Sequence, residues 1–264
     1  MNIIITIIAV IVFFVILIVP HEFGHFATAK LLGVKVNEFA FGMGPAIFQK
    51  QGRETLYSVR IFPIGGYCAL EGENEDTGDP KAFNSKPGWV KIVILVAGVT
   101  MNVITAFLIV LGLLVVIRFM HQESWPEGMG ALEVFGRSIA DSAATVGRMA
   151  LLIMDSLRML FSGEASVNDL SGPVGIVNAV NETATQGIVN YLIFTALMCV
   201  NLAVINILPL PALDGGRILF VIIRKVTGKM ITDEMESKIH MIGMAILLAL
   251  IVMITFKDVG TLFK

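Results

Sequence analysis

His21, Glu22 and His25 stand in the order His-Glu-x-x-His and are the only ionisable residues between Asn2 and Ala29. On a helix, positions i and i+4 share a face, so both imidazoles can bind one zinc ion while Glu22, beside them, reaches the metal's water. That is the chemistry of a metallohydrolase: the metal acidifies a water and the carboxylate takes its proton. An uncompensated charge near the centre of a bilayer costs about 2.5 to 3.5 kcal/mol, so three ionisable groups in so apolar a run need a ligand or a partner. Polar residues that merely tie helices together are the plain alternative.

A hydrolytic zinc takes three protein ligands and leaves the fourth position to water. Among the carboxylates in apolar surroundings, Glu22 is needed as the base, which leaves Asp214 as the third ligand. Asn102, Asn201 and Asn206 are candidate amide donors for the tetrahedral oxyanion. His121 and His240 lack a helical partner histidine and read as interfacial or surface residues rather than ligands.

The elements that must carry these residues follow from composition and pattern. The chain has 264 residues, 56% of them hydrophobic and only 15% charged, with a mean hydropathy of +0.82. Those values belong to a multi-pass membrane protein rather than a soluble domain. A single integral-membrane unit over 1–264 is expected. Its fold class is membrane α-helical, with about four transmembrane helices, a small membrane-associated β-hairpin sheet and an amphipathic surface helix.

The first span, within 1–32, has no basic leader and no small-residue cleavage site, so it is read as retained. Pro20, just before His21, removes a backbone donor and either kinks or loosens the helix there or is merely tolerated in a membrane helix. Over 33–89, short β-prone runs alternate with Gly42-Met43-Gly44-Pro45, Gln51-Gly52 and Pro63-Ile64-Gly65-Gly66, the pattern of an antiparallel hairpin sheet. The apolar flanks of the Gly65-Gly66 turn can dip into the bilayer. Glu71 to Asp79 reads as a solvated acidic loop.

The second span, 90–117, contains Gly98 and Asn102 in the spacing G-x-x-x-N, where a small residue lets a neighbouring helix approach and the amide needs a partner. The segment 118–187 has no convincing apolar span. Within it, Arg137 to Phe161 places Ile139, Ala143, Val146, Ala150, Ile153 and Leu157 on one face, an amphipathic helix lying along the membrane. The third span, 188–216, ends in a Pro- and Gly-rich break from Asn206 to Gly216 that carries Asp214, and unwinding is expected there. The remainder, 217–264, is a loop and a fourth span from about His240 to Phe256.

Lys and Arg concentrate between Leu31 and Lys91 and after Asp214, including Lys225 and Lys229, and are sparse between Arg118 and Gln186. The positive-inside rule then places both termini outside and the site toward the cytoplasmic half of the membrane. The net charge is −2 and no basic cluster is interleaved with aromatics, which argues against a nucleic-acid partner. Cys68 and Cys199 have no metal-type spacing.

With these pieces in place, the chain resembles the site-2 protease class of intramembrane zinc metalloproteases, and within it the bacterial regulator-of-sigma-E protease group. The matching motifs are His21–His25, Pro63–Tyr67, Ala97–Asn102, Leu170–Ile176 and Asn206–Gly216, in family order over nearly the whole chain. The resemblance implies zinc held by His21, His25 and Asp214, Glu22 as acid and base, and Asn201 and Asn206 holding unwound substrate. It also implies that the hairpin around Gly65 and Gly66 is a re-entrant edge strand that pairs with substrate. Two departures stand out. Val99 replaces a common proline, and Arg118 to Gly136 is too short for the PDZ domain usual between the second and third spans.

The function expected is zinc-dependent endopeptidase cleavage within or next to the transmembrane helix of single-pass regulatory or signal-peptide-like proteins, in a bacterial cytoplasmic membrane. A metal or proton transporter and an inactive helix-binding scaffold are the rival classes.

Overall fold

The computed structural model describes residues 3–73, 77–121, 125, 130–164, 171–228 and 232–262. Leu170, Lys229 and residues 74–76 of the acidic loop lie outside them. In chain order the elements are α1 (Ile3–Leu31), β1 (Val36–Gln51), β2 (Leu56–Leu70), α2 (Gly88–Met120), α3 (Ala131–Ser162), α4 (Pro173–Gln186), α5 (Ile188–Ile207), α6 (Asp214–Thr227) and α7 (Asp233–Leu262). Among the described residues four helices are long and apolar enough to cross a membrane: α1, α2, α5 and residues Glu234–Gly260 of α7. Runs of Ile and Val that favour strands in water are helical here, because in an apolar medium each backbone group must be satisfied within its own segment.

The buried share of the apolar window is 33% in α5 and 6% in α7, so α5 is the central staff and α7 stands at the margin. One apolar cluster joins Phe13, Phe14, Leu17 and Ile18 of α1 to Ala106 and Val110 of α2, Val146 and Met149 of α3, and Tyr191 and Val200 of α5. A second joins Ala29 to Val34, Val36, Leu70, Phe83 and the first turns of α2. His21, His25, Gly98 and Asn102 fall between the two clusters along both helices. The site is therefore bracketed by apolar packing at either end.

The sheet differs from a simple hairpin. Gly42-Met43-Gly44-Pro45 and Pro63-Ile64-Gly65-Gly66 do not end strands but bend them, with Gly42, Gly44 and Gly65 at positive φ. β1 and β2 fold back on themselves. Glu38–Phe41 is paired on one side with Gly66–Ala69 and on the other with Leu56–Val59, while Phe48–Gln51 pairs with Leu56–Val59 from beyond. Gly66–Leu70 is thus an edge segment. A polar cluster ties the layers together: Glu38 accepts from Ser58 and from Arg60, and Arg60 donates to the Tyr67 hydroxyl at 2.6 Å. Burial, with Glu38 alongside, pushes the Tyr67 phenol up to about 12, so it stays neutral. At the opposite end Met43, Ile47, Ile61 and Phe62 are exposed.

α3 is amphipathic as expected, but its packed face is rotated. Val134, Ser138, Ser142, Val146 and Met149 are buried, whereas Ile139 is 40% exposed. Ser138 and Ser142 hydrogen-bond the carbonyls four residues back, which hides their polarity and gives α2 and α5 a small-residue surface to approach. α4 and α6 are helices that the apolar pattern did not announce.

Candidate metal centre

α1 continues as helix through Pro20 and presents His21 and His25, 7% and 8% exposed, to α2. Their approach depends on two glycines. A Cβ on Gly98 would lie 2.2 Å from His25 Nε2, and one on Gly24 would lie 2.4 Å from the Ala97 carbonyl oxygen. The G-x-x-x-N spacing therefore serves the site directly: Gly98 makes room for the imidazoles, and Asn102, fully buried, places its amide 3.3 Å from His21 Nδ1.

That amide also bears on the tautomers. His25 Nδ1 lies 2.9 Å from the Ile94 carbonyl oxygen and donates to it, leaving Nε2 with its lone pair. Asn102 Oδ1 is buried without a partner. Exchanging the amide's oxygen and nitrogen, which differ only by assignment, lets Oδ1 accept from His21 Nδ1–H. Both Nε2 atoms then face the same point as bare nitrogen donors.

Asp214 arrives from the other side of the bundle. α5 ends at Ile207 and α6 begins at Asp214, so the break expected from the two prolines and two glycines is present. Gly215 and Gly216 are required because a Cβ on either would lie 2.2 Å from a carbonyl oxygen, that of Ile207 or Leu210 respectively. The intervening loop folds directly over the start of α6.

Asp214 Oδ2 is 3.4 Å from His21 Nε2 and 3.4 Å from His25 Nε2, and the two Nε2 atoms are 3.2 Å apart. A tetrahedral zinc with bonds of about 2.0–2.1 Å separates its ligand atoms by about 3.3–3.4 Å. Asp214 Oδ2 is buried and hydrogen-bonds to nothing, as a ligand atom facing a metal would. The donor set and its spacing fit zinc.

Around this point lies a cavity of about 430 Å³, lined by His21, Glu22, His25, Tyr67–Leu70, Glu73, Asn206, Asp214 and Arg217, with Ile94, Leu95, Ala212 and Leu213. The edge segment Gly66–Leu70 forms one wall. Gly66 is held close, since a Cβ there would lie 2.8 Å from Ile18 and 3.3 Å from Glu22 Cγ. The Leu70 N–H bonds Glu73 at 3.3 Å. Glu73 in turn pairs with Arg217 on α6. Burial pushes the Cys68 thiol up to about 12, so it is neutral at ordinary pH.

The expected residues fall into separate places. Glu22 and Asn206 line the cavity, and Asn206 Nδ2 is 3.2 Å from His21 Nε2. Asn102 sits behind His21 rather than on the wall. Asn201 directs its amide to the Met198 sulfur at 3.9 Å and is not among the lining residues. Gly65 serves the bend, packed against Met43. His240, read from the sequence as a surface residue, instead accepts a hydrogen bond from the Ala212 N–H.

Two imidazoles and a carboxylate spaced for one metal, inside a bundle of membrane-length helices, define a metallohydrolase that works within the membrane. Comparison with known proteins gives the family: residues 9–250 match the model of Peptidase family M50, and the chain belongs to it. A Clostridium acetobutylicum protein carrying a provisional zinc-metalloprotease name is 30% identical, over 98% of this chain and 97% of the relative. The zinc metalloprotease RasP of Shouchella clausii is 25% identical, over 98% and 100%. The regulator of sigma-W protease RasP of Bacillus subtilis is 25% identical, over 98% and 99%. That last alignment runs over 417 positions against a chain of 264 residues, so the relative carries large insertions. The chain is a zinc-dependent intramembrane metalloendopeptidase of the site-2 protease class. Its described residues contain no PDZ domain.

Proposed function

We propose that His21, His25 and Asp214 hold the zinc, that Glu22 is the acid and base, and that the substrate is a single-pass membrane protein cut within or next to its transmembrane helix. The observation that carries this reading is the edge segment Gly66–Leu70, which runs along the wall of the cavity holding the metal-type triad. A peptide added as a further strand to that edge lies with its carbonyls against Glu22 and the three donors. A helix must unwind to do so, and the strand edge compensates the backbone groups it exposes.

Zinc bound by the three side chains would polarise the scissile carbonyl and acidify the attacking water. Glu22 takes the proton from that water and returns it to the leaving amine. Asn206, 3.2 Å from His21 Nε2, is placed to donate to the developing oxyanion. Glu73 occupies the Leu70 N–H, so an incoming strand must displace that contact as it pairs.

The positive-inside asymmetry supports a bacterial cytoplasmic membrane with both termini outside and the site toward the cytoplasmic half. Only residues 121–130 separate α2 from α3. A connection so short makes a weak steric filter, so discrimination by the bulk of a substrate's outer domain is expected to be slight.

The test is zinc content together with cleavage of a membrane-embedded reporter by the purified protein. His21→Ala, His25→Ala and Asp214→Ala should each strip zinc and activity together. Glu22→Gln should keep zinc and lose about 10²–10⁴ in rate. A fully loaded, active Asp214→Ala enzyme would remove the third ligand from this scheme. Steep loss of cleavage as reporters gain outer bulk would show that a size filter exists without a PDZ domain.

A further inference from the structure

The fourth span approaches the metal centre without contributing a ligand. Three residues of α7, Glu236, His240 and Gly243, follow the i, i+4, i+7 spacing of one helix face, and all three meet the segment that carries Asp214 or the helix that follows it. Gly243 lies so close to Pro211 that a Cβ on it would come within 2.4 Å of the proline Cβ. His240 Nδ1 accepts the Ala212 N–H at 2.8 Å, and its ring meets Phe220 of α6 edge-on at 5.4 Å. Glu236 bonds Arg224 of α6 at 2.5 Å and has a carboxylate oxygen 3.9 Å from His240 Nε2.

Ala212 is the residue that most needs such support. Among the described residues it alone, of the non-glycines, has positive φ, at 75°, a conformation that side chains with a Cβ rarely adopt. It stands two positions before Asp214. Its N–H, in a half-buried loop, also needs an acceptor. His240 supplies one at a fixed position. Because Nδ1 accepts, the ring proton sits on Nε2, which is buried without a hydrogen-bond partner and has the Glu236 carboxylate as its neighbour at 3.9 Å.

We propose that His240 is a positioning residue of the metal centre: through Ala212 it holds the loop that sets Asp214 against the two imidazoles, so α7 governs zinc affinity from outside the ligand set. The proposal rests on the reading of Asp214 as a zinc ligand. Groups that orient metal ligands from behind are typically worth 10–100-fold in metal affinity.

The experiment measures zinc affinity of the full chain in detergent by competition with a chromophoric chelator, with apo-protein melting followed in parallel. His240→Ala should bind zinc 10–100-fold more weakly, with an apo melting temperature close to wild type. His240→Asn, whose Oδ1 can stand where Nδ1 stood, should stay within a few-fold of wild type. Ala212→Gly in the His240→Ala background should recover most of the loss, since glycine adopts positive φ without a tether.

Wild-type zinc affinity in His240→Ala would overturn the proposal. So would equal losses in the Ala and Asn variants with no rescue by Ala212→Gly, which would reduce His240 to helix packing. Should His240→Ala not yield monodisperse protein, His240→Gln places its amide one bond farther out; weakened zinc binding supports the tether and undiminished binding refutes it. Asp214→Ala separates the two levels. Unchanged zinc affinity there would defeat the ligand reading itself, whereas lost affinity there with none lost in His240→Ala defeats the tether alone.

Discussion

The two halves of the metal centre are built by different means. On one side, His21 and His25 ride on an unbroken helix against Gly98 and Asn102 of a second unbroken helix, so helical periodicity and one close contact fix the imidazoles. On the other side, Asp214 sits at the first turn of α6 after a loop with two prolines and a residue at positive φ. That half is positioned by what packs on it: Gly215 and Gly216 beneath, Pro211 and Ala212 against α7. A site made from one stiff half and one assembled half can keep two of the proposed ligands in place while the third depends on the surrounding fold.

The sharpest way to break the comparison is to push a methyl group into each half. Gly98→Ala places a Cβ 2.2 Å from His25 Nε2 and should abolish both zinc retention and cleavage. Gly215→Ala meets the backbone oxygens of Ile207 and Leu208 at 2.2 and 2.3 Å, so the loop must move while the histidine pair stays. Cobalt substituted into that variant should still bind, weakly, with an altered visible spectrum. Identical, complete loss of cobalt from both variants would show that the halves are not independent.

Asn102→Ala probes the stiff half more gently. Losing the contact to His21 Nδ1 should weaken zinc binding by about 10–100-fold, measured by chelator competition. Asn206→Ala, on the assembled half, should reduce turnover with zinc content unchanged, since its amide lines the cavity where the oxyanion would form. If Asn206→Ala sheds zinc instead, the amide belongs to ligand orientation and not to the substrate.

The smallest effect on the site is expected from the far end of α7. Asp258, 7% exposed, accepts from the N–H groups of Gly172 and Gly175 at 2.9 and 2.8 Å, a carboxylate at the N-terminus of α4. A Cβ on Gly172 would meet it at 2.9 Å, which accounts for the glycines of the Ser-Gly-Pro-x-Gly motif. Asp258→Asn should lower the melting temperature by the loss of charge-assisted bonds, roughly 1.5–3 kcal/mol, with zinc affinity and turnover per folded molecule unchanged. A fall in zinc affinity would extend the assembled half along the whole of α7.

The four spans, the histidine pair and the carboxylate beside it were legible because each is a local statement. Twenty apolar residues must be helical in a bilayer whatever lies next to them, and i, i+4 spacing puts two imidazoles on one face in any helix. The break before Asp214 was equally plain from Pro209, Pro211, Gly215 and Gly216. What the chain does not spell out locally is proximity. That Gly98 faces His25, that Asn102 stands behind His21 while Asn201 turns to Met198, and that His240 holds Ala212 all depend on which helix faces pack together. Those choices are made by close contacts between residues far apart in the chain, 81 positions for Asn102 and His21 and 185 for Asn206 and His21. The sheet shows the same division. Its turn residues were readable, but only the folded pairing decided that they bend two long strands, leaving Gly66–Leu70 as the edge that borders the metal centre.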